Sequence, residues 1–364
     1  MKKKVLINIP NFNLPGAGGV SALYRALELD KIDDIEYFIL HGDKREKNPF
    51  LKLLRLVQKF LEFFARVKKC DISVLNPSLD RKSFFRDLVF LSLAKLRRKK
   101  VILFWHGWND SFEQQIKDSS LKHWLFKKTF AKANAYIVLG TIFQEKLITL
   151  GVNPAKIFFR FTNAADDKYL KGFTIEHRTS SKKKFNILFL SRIEKAKGVY
   201  LAIDAFQLLA NRIKTPVEIT IAGDGPELSN VKKYVQEKSI ANVTFTGRII
   251  DEEKHKAFLN ADIFLFPTQF GEGLPLCILE AILYGLPVLT RPVGGIPDIF
   301  SEGENGYLIS SSNPVDFTIK LEELINNHEL YNNIATNNFK KGQENFTVDK
   351  AKQKYLDIVL TDQI

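Results

Sequence analysis

The stretch that decides the fold runs from Asp262 to Glu280 and reads DIFLFPTQFGEGLPLCILE. Its first part, Asp262–Pro267, is short, apolar and aromatic and ends at a proline, which is typical of a buried strand. Two glycines then indicate a loop, and Pro275 suits the first residue of a helix over Leu276–Leu283. A helix that starts at the carboxyl end of a strand points free N–H groups and the positive end of its dipole at whatever binds there. The sequence therefore predicts an anion-binding loop between a strand and a helix.

Two carboxylates stand beside these predicted donors. Glu272 lies in the loop, and Glu280 lies just over one turn into the helix. Carboxylate oxygens accept hydrogen bonds from sugar hydroxyls, while the backbone amides face an anion. Two solvated glutamates on a surface helix are the alternative, and for an isolated pair that explanation is the more common one.

Short apolar segments alternate with helical segments along the whole chain of 364 residues. Continuous apolar strands between helices are typical of parallel sheets that are covered on both faces. We therefore predict an α/β fold with two Rossmann-like domains whose parallel sheets face each other across a cleft. The predicted strands are Lys4–Pro10, Ile35–Leu40, Asp71–Pro77, Val101–His106, Ala135–Leu139, Lys156–Phe161, Asn186–Ser191, Val217–Ala222, Val243–Gly247, Asp262–Pro267 and Pro287–Thr290.

The domain boundary is predicted from a break in this pattern. Residues 179–184 read TSSKKK, which is polar and has no periodicity. Such a segment is typical of a connection between domains. We predict a first domain over residues 1–165, a linker over 166–184 and a second domain over 185–347.

Bulk composition indicates a soluble, intracellular protein. The chain is 45% hydrophobic and 26% charged, which is ordinary for a folded protein. Its two cysteines are too few for a disulfide framework and favour a reducing cytoplasm. The apolar run behind the N-terminal lysines ends at Pro10, which is too short for a signal peptide or a membrane span. We expect a cytoplasmic protein that does not cross the membrane.

The positive charge is concentrated in one part of the first half. The formal net charge is +13, and residues 44–100 contain 17 Lys or Arg against 5 Asp or Glu, a local net of 17 − 5 = +12. Such a patch attracts acidic lipid head groups, nucleic acid or a pyrophosphate. Phe50–Val67 is also amphipathic, with a narrow charged stripe on an otherwise apolar helix. Packing against a sheet explains this pattern, and so does an anionic membrane surface bound through Phe50–Lys100.

The motifs of the second half resemble those of a known family. The spacing of Glu272 and Glu280 around Gly-Leu-Pro, followed by Pro287–Thr290 and by GGIPD at 294–298, resembles the nucleotide-sugar half of retaining GT-B glycosyltransferases. The most similar group is glycosyltransferase family 4 (glycosyl transferases group 1). The resemblance covers most of the chain, is strong from about Asn186 to Gly306 and is weaker before His106.

This resemblance implies a fold and an activity. The fold is the GT-B architecture, with a C-terminal helix near 348–364 that packs back onto the first domain. The activity is transfer of a sugar from a nucleoside-diphosphate sugar to a glycan or lipid-linked acceptor with retention of anomeric configuration. The implied setting is cell-surface polysaccharide or glycolipid biosynthesis, with the enzyme peripheral on the inner face of the membrane.

Two basic residues follow the strand that opens the second domain. Arg192 offers a bidentate fork and Lys197 a point charge to a diphosphate, although basic loop residues are more often solvated. The resemblance implies that both bind the donor diphosphate, and that Glu280 holds the ribose hydroxyls. It further implies that Glu272 contacts the sugar and that the amides around Gly273 and Leu274 meet the sugar or the phosphate.

Other candidates carry weaker signals. Gly223 permits a tight turn that is either structural or lines the nucleotide pocket. Arg248 either stacks on a nucleobase or faces solvent. Gly18 and Gly19 lie in a glycine loop after the first strand, where a plain turn competes with an anion-binding loop; the resemblance implies that they border the diphosphate.

His106 ends the fourth predicted strand in the segment FWHGWND. A lone histidine at a strand end is more often structural, but the resemblance implies a position close to the donor sugar. Trp108 is a candidate for stacking on a sugar face. The predicted catalytic residues are therefore Glu272, His106, Arg192 and Lys197.

No Asp-x-Asp motif occurs in the chain, and that motif holds a divalent metal in glycosyltransferases of the other common architecture. With Arg192 and Lys197 present, we expect no metal and no other cofactor.

Two further functions compete with the main hypothesis. The basic patch also suits a nucleic-acid-binding protein, but no nucleic-acid motif appears, so no nucleic-acid partner is expected. A related GT-B enzyme acting on the nucleotide sugar itself, such as an epimerase or a sucrose synthase-like transferase, is the third hypothesis.

Overall fold

The computed structural model describes residues 3–11, 19–40, 48–180, 182–271 and 273–363. The chain divides into two compact units. The first contains Met1–Ala164, Gly271–Leu274 and Asp349–Ile364, and the second contains Ala165–Phe270 and Pro275–Val348. The short segment Gly271–Leu274 thus groups with the first unit, although it lies far along the chain.

The first unit is built on a parallel sheet. Within the described residues six strands pair in the order β2-β1-β3-β5-β7-β8, and two very short strands, β4 and β6, pair with each other. The register is regular, with Val5 opposite Ile35 and Pro10 opposite Leu40. The strands are β1 (Val5–Pro10), β2 (Ile35–Leu40), β3 (Ile72–Leu75), β4 (Ser78–Leu79), β5 (Lys100–Trp105), β6 (Gly107–Trp108), β7 (Ala135–Val138) and β8 (Ile157–Arg160).

Helices connect these strands. Helix α2 begins behind Asn48, whose side chain accepts a hydrogen bond from the Phe50 N–H, and α3 begins behind Asp80, which accepts from two N–H groups. Such caps satisfy amides that have no partner inside the helix. The helices are α1 (Gly19–Leu27), α2 (Pro49–Val67), α3 (Arg81–Leu96), α4 (Asp110–Asp118), α5 (Ser120–Lys128) and α6 (Thr141–Thr149), and the C-terminal α14 (Val348–Val359) lies almost wholly in this unit.

The second unit has a parallel sheet of the same kind. Six described strands pair in the order β11-β10-β9-β12-β13-β14. This is the doubly wound order in which the chain first builds outward in one direction and then returns to build in the other. The strands are β9 (Phe185–Leu190), β10 (Val217–Ala222), β11 (Val243–Gly247), β12 (Ile263–Phe266), β13 (Val288–Thr290) and β14 (Gly306–Leu308).

The helices of the second unit cover its sheet. Helix α11 occupies the predicted span, with Pro275 as its N-cap. The helices are α7 (Glu176–Thr179), α8 (Val199–Ala210), α9 (Leu228–Glu237), α10 (Asp251–Asn260), α11 (Leu276–Leu283), α12 (Pro314–Asn326) and α13 (His328–Asn345).

The central strands are buried along their whole length. Every residue of β3 and of β12 is buried, as expected for strands covered on both faces. The predicted α/β fold with two Rossmann-like halves is therefore confirmed. Each predicted strand forms within two residues of its expected ends, and the short strands β4, β6 and β14 were not predicted.

Arg178 is fully buried although it lies in the segment predicted as a linker. Its guanidinium donates to the backbone carbonyls of Phe258 at 2.7 Å, Leu259 at 3.1 Å and Tyr284 at 3.1 Å, and it also bonds the carbonyl of Ala261. The last carbonyls of a helix have no partner inside it, and here a side chain supplies one to the end of α10. This part of the predicted linker is packed into the second unit.

Candidate functional site

The second sheet has a topological switch point between β9 and β12. Strand order reverses there, and the connections leave in opposite directions, which opens a crevice at the carboxyl ends of these two strands. The loop after β9 and the loop after β12 meet at this point, because the Gln269 N–H donates to the Ala196 carbonyl at 2.8 Å. Three sequence candidates, Arg192, Lys197 and Gly223, lie on loops at this edge of the sheet.

The loop after β9 carries three cations, Arg192, Lys195 and Lys197, and two of them, Arg192 and Lys197, are predicted site residues. The Arg192 side chain is 69% exposed and pairs with the carboxylate of Glu194. The Nζ of Lys197 lies 4.1 Å from the centre of the Phe270 ring, a cation–π distance. Helix α8 then starts at Val199 with no side-chain cap and no acidic residue in its first turn. Its first amides together with Arg192 and Lys197 form a positive surface suited to an anion.

The loop after β10 packs tightly against this region. Gly223 has a φ of 140°, and a Cβ atom there would lie 1.8 Å from the Ser191 carbonyl oxygen. Only glycine fits such an approach. Arg248 follows β11 and is exposed to solvent. The structure thus places Gly223 beside the cation-bearing loop and Arg248 at the end of a neighbouring strand.

Glu280 is buried on α11 and forms an ion pair that sequence reasoning missed. The Nζ of Lys254, on α10, lies 2.6 Å from Glu280 Oε1 and 3.4 Å from Asp166 Oδ2. Burial raises the pKa of the Glu280 carboxyl, and the Lys254 ammonium opposes that shift. Burial alone would lower the pKa of Lys254, but the two carboxylates outweigh it and raise that pKa. Lys254 therefore keeps its positive charge beside Glu280 at neutral pH.

A small hollow surrounds this ion pair. The His255 Nδ1 lies 2.5 Å from the Tyr284 hydroxyl, and Phe258 stacks on the Tyr284 ring. Burial lowers the pKa of His255. The lining residues are Asp166, Tyr169, Asp251, Lys254, His255, Phe258, Glu280 and Tyr284. Carboxylate, ammonium and phenol groups thus lie close together in this part of the second unit.

The loop between β12 and α11 is described only in part. Glu272 lies outside the described residues, and so does Gly18. Gly273 belongs to the first unit, where a Cβ atom would lie 2.7 Å from the His106 carbonyl oxygen. The Leu274 carbonyl accepts a hydrogen bond from Asn163 at 3.1 Å, and Leu274 itself is buried.

The remaining first-unit candidates lie at the carboxyl ends of strands or at the start of a helix. Gly19 is the first residue of α1 and is exposed. His106 follows β5, and its Nε2 lies 2.7 Å from Asn76 Oδ1. Burial lowers the pKa of His106 to about 3. The imidazole is therefore neutral at physiological pH.

The sequence interpretation of Trp108 is wrong. The ring is 8% exposed, and its Nε1 donates to Glu113 at 2.6 Å. The ring also packs against Trp105 and Phe143. Trp108 is therefore part of the core, because its aromatic surface is used for packing and is not open to a sugar.

The described residues contain neither a metal-binding cluster nor a helix that could span a membrane. No group of three or more His, Cys, Asp or Glu side chains there is arranged to hold a metal ion. Among the helices of the described ranges, none combines the length and the apolar character that crossing a bilayer requires.

Comparisons with known proteins agree with this architecture. Residues 173–341 match the family model of glycosyl transferases group 1. An uncharacterised glycosyltransferase of Methanocaldococcus jannaschii is 26% identical over 404 aligned positions, covering 98% of each chain. An O-antigen chain mannosyltransferase of Escherichia coli is 28% identical over 176 positions, covering 48% of this chain and 46% of the relative.

A solved structure shows the same fold over the full length. The structure of the Anabaena protein HepE in complex with UDP and glucose aligns with a TM-score of 0.71 at 16% identity. The alignment covers 98% of this chain and 99% of HepE. The predicted GT-B architecture is thereby confirmed. The match to glycosyl transferases group 1 thus covers most of the second unit, and the likeness to a solved structure extends over the whole fold.

Proposed function

We propose that the chain transfers a sugar from a nucleoside-diphosphate sugar to a glycan or lipid-linked acceptor, with retention of anomeric configuration, in cell-surface polysaccharide or glycolipid biosynthesis. The observation that carries the proposal is the switch point of the second sheet. There the exposed Arg192 and the half-buried Lys197 share one loop with the uncapped start of α8. An anion of high charge density, such as a diphosphate, fits this combination.

Glu280 is assigned to the ribose of the donor. Its buried carboxylate is held by Lys254 at 2.6 Å, so its remaining lone pairs have a fixed direction. Ribose hydroxyls donate to such oxygens with little reorganisation. The resemblance noted above gives the equivalent glutamate the same role, and the family match covers this residue.

The proposed reaction is a front-side displacement. The acceptor oxygen forms a bond to the anomeric carbon on the face from which the diphosphate leaves, and the acceptor proton passes to the departing phosphate oxygen. In this proposal Arg192, Lys197 and the start of α8 stabilise the leaving diphosphate, while Glu272 orients the sugar. These side chains take the place of a metal ion, so transfer should persist in the presence of EDTA.

Donor binding tests this assignment directly. A thermal-shift screen against uridine, guanosine and adenosine diphosphate sugars identifies the nucleotide. We expect Arg192→Ala and Lys197→Ala each to weaken binding of that donor by about ten- to a hundredfold, since a hydrogen bond to a charged group contributes about 1.5–3 kcal/mol. Lys214→Ala, at an exposed lysine of the same unit, is the matched control and should bind normally.

Product analysis completes the test. Wild-type affinity in the Arg192 and Lys197 variants would refute the donor site. Conversion of the donor without any acceptor would instead favour an enzyme that acts on the nucleotide sugar itself. Inverted product would refute retention, and the anomeric proton signal in NMR distinguishes the two outcomes.

The acceptor side is proposed to meet an anionic membrane through α2. The first ten residues of this helix, where described, are exposed, including Phe50 at 70%, Leu53 at 59% and Val57 at 44%. Leu61 is 65% exposed one turn further on. An apolar surface on an exposed helix, within a segment of net charge +12, is typical of binding at the interface of an anionic bilayer. In this proposal the enzyme is peripheral on the cytoplasmic face and receives a lipid-linked acceptor there.

The charged stripe predicted for α2 is only partly available to lipid. Lys52 is exposed, whereas Lys59 is half-buried, bonded to Glu62 at 2.6 Å and placed 5.2 Å from the centre of the Phe38 ring. Arg66 likewise pairs with Glu36 and Glu62, each at 2.7 Å. The C-terminal part of the stripe therefore stabilises the fold, and the N-terminal part is the surface to test.

Vesicle binding tests the membrane proposal. We expect Lys52→Glu with Arg55→Glu to weaken binding to phosphatidylglycerol-containing vesicles by tenfold or more, since each cation near the surface contributes about 1 kcal/mol. Phe50→Ser with Leu53→Ser should weaken binding at any salt concentration. Lys171→Glu with Lys214→Glu changes the net charge equally, at exposed sites of the second unit, and should bind as wild type. If the control lost vesicle binding equally, the effect would come from net charge alone and the proposed role of α2 would be refuted.

A further inference from the structure

A polar network of five residues lies at the carboxyl ends of the first unit's strands. It contains Asn8 of β1, Tyr24 of α1, Asn76 after β3, His106 after β5 and Tyr355 of α14. Asn8, Tyr24 and Tyr355 are buried. The rings of Tyr24 and Tyr355 meet edge to face at 5.9 Å, and Phe104 packs on His106 at 3.8 Å between ring centres. We call these five residues the His106 network.

The orientation of the Asn76 amide follows from its partners. Its Nδ2 lies 2.6 Å from the backbone carbonyl of Asn8, and a carbonyl only accepts hydrogen bonds. The nitrogen must therefore face Asn8, and the oxygen must face the other side. That oxygen lies 2.8 Å from the Tyr24 hydroxyl and 2.7 Å from His106 Nε2.

The donor and the acceptor of each remaining hydrogen bond in the network can be assigned from this orientation. An amide oxygen has no proton to give, so both Tyr24 and His106 donate to it. Because the Tyr24 proton is used in this way, the Tyr355 hydroxyl, 2.9 Å away, must donate to the Tyr24 oxygen. His106 thus carries a proton on Nε2.

The other ring nitrogen is then an acceptor. Burial lowers the pKa of His106 to about 3, so the ring bears only one proton at neutral pH. Nδ1 consequently presents a lone pair, and no described residue is hydrogen-bonded to it. The second proton of an imidazolium, which a general acid would need, is absent.

His106 lies at the carboxyl edge of the first sheet. Its carbonyl oxygen lies against Gly273, in the loop between β12 and α11. Its ring follows β5, close to the point between β1 and β3 where the order of the first sheet reverses. A polyol bound here would meet an acceptor that is fixed in direction.

We propose that Asn76, supported by Tyr24 and Tyr355, is a positioning residue that locks His106 in the Nε2–H tautomer, so that Nδ1 accepts a hydrogen bond from a hydroxyl of a sugar substrate. This inference rests on the proposed function. It assigns the C-terminal helix a part in the site, because Tyr355 donates the first hydrogen bond of the chain Tyr355–Tyr24–Asn76–His106.

The tautomer is measurable in the unmodified protein. In ¹⁵N-histidine-labelled protein, long-range ¹H–¹⁵N correlation spectra distinguish the Nε2–H, Nδ1–H and doubly protonated forms. The His106 signal is identified by its loss in His106→Gln. We expect the neutral Nε2–H form throughout the range from pH 5 to 8. An Nδ1–H form, or protonation within that range, would overturn the inference without any measurement of activity.

Variants test the role of the network. Asn76→Leu keeps the size of the side chain but removes the acceptor, so the Nδ1–H tautomer should appear. Affinity for the nucleotide sugar found in the donor screen should fall by about tenfold, the effect of one lost hydrogen bond, while affinity for its free nucleoside diphosphate stays unchanged. Tyr355→Phe keeps Asn76 in place and should give the same change more weakly.

Tyr136→Phe is the matched control. This buried tyrosine of the same unit donates its hydroxyl to the Phe130 carbonyl at 2.8 Å, and neither residue belongs to the His106 network. The control should leave both the His106 spectrum and the binding of the sugar nucleotide unchanged. If Asn76→Leu retained the wild-type tautomer and affinity, the inference about Asn76 would fail while the proposed function stood. If no nucleotide sugar bound the wild-type protein, the proposed function would fail while the tautomer result stood.

Discussion

The two units place different chemistry at the carboxyl ends of similar sheets. In the first unit the His106 network is neutral and consists of hydrogen bonds whose donors and acceptors are fixed. In the second unit Lys254 and Glu280 form a buried ion pair, and Arg192 of the same unit is an exposed cation. The neutral network fixes the position of the proton on His106 Nε2. The ion pair instead fixes the positions of two opposite charges, those of Lys254 and Glu280. The comparison shows that two similar sheets can carry a neutral hydrogen-bond network in one case and a buried ion pair in the other.

The largest effect should come from breaking the ion pair. Lys254→Met leaves the Glu280 carboxylate buried without its cation, and loss of one partner of a buried pair destabilises a protein by about 3–5 kcal/mol. All three tryptophans (105, 108 and 124) lie in the first unit, so their fluorescence reports on that unit alone. In urea unfolding, far-UV circular dichroism should therefore show the loss before tryptophan fluorescence does.

Two controls accompany this prediction. Lys233→Met removes an exposed pair with Glu237 at 3.5 Å and should change the free energy of unfolding by less than about 1 kcal/mol. Lys254→Met combined with Glu280→Met removes both charges and should be more stable than Lys254→Met alone. A single variant as stable as wild type would mean that the pair does not hold the second unit together.

A smaller effect is expected from the neutral network. Tyr24→Phe removes a buried hydroxyl and leaves Asn76 Oδ1 and the Tyr355 hydroxyl each without one partner. Unsatisfied buried polar groups destabilise by about 1–3 kcal/mol, below the ionic case. Tryptophan fluorescence during urea unfolding measures this loss in the unit that contains Tyr24. A loss larger than that of Lys254→Met would reverse the proposed contrast between the two units.

The stability that neutral His106 contributes should depend on pH. The folded pKa of His106 is about 3 against an ordinary value of 6.5, so the unfolded chain binds an additional proton between these values. The stability that neutral His106 contributes is therefore fully present above pH 6.5 and is lost as the pH falls toward 3. His106→Gln should flatten this part of the stability curve. We expect the smallest effect here, because the His106 ring is partly exposed and solvent screens the charge of its protonated form. An unchanged slope in the variant would indicate that His106 titrates normally.

The sequence predicted the strands well because each one is a continuous apolar run. Ile35–Leu40, Val217–Ala222 and Val243–Gly247 form with the predicted ends. Strand β14 was missed because its three residues, Gly306–Leu308, are too short to carry a pattern. Residues paired over long distances in sequence were also missed. Nothing in the helical pattern of α10 shows that Lys254 turns inward toward Glu280, 26 positions later.

Site residues were predictable only as positions on loops. The sequence placed Arg192, Lys197 and Gly223 after strands, and the structure brings these loops to one edge of a sheet. It did not reveal the partners that set proton and charge positions, such as Asn76 for His106. Trp108 was misinterpreted because the sequence does not show whether an aromatic ring at a strand end faces a ligand or the core.

Arg178 has a practical consequence for anyone who wishes to express the second half by itself. A fragment started at Phe185, where the sheet begins, would lack this guanidinium and leave the backbone oxygens of Phe258, Ala261 and Tyr284 buried without donors. A fragment started before Thr174 would retain it. The fragment should therefore begin before Arg178. The polar run TSSKKK is not a suitable boundary, although its composition suggests a dispensable linker.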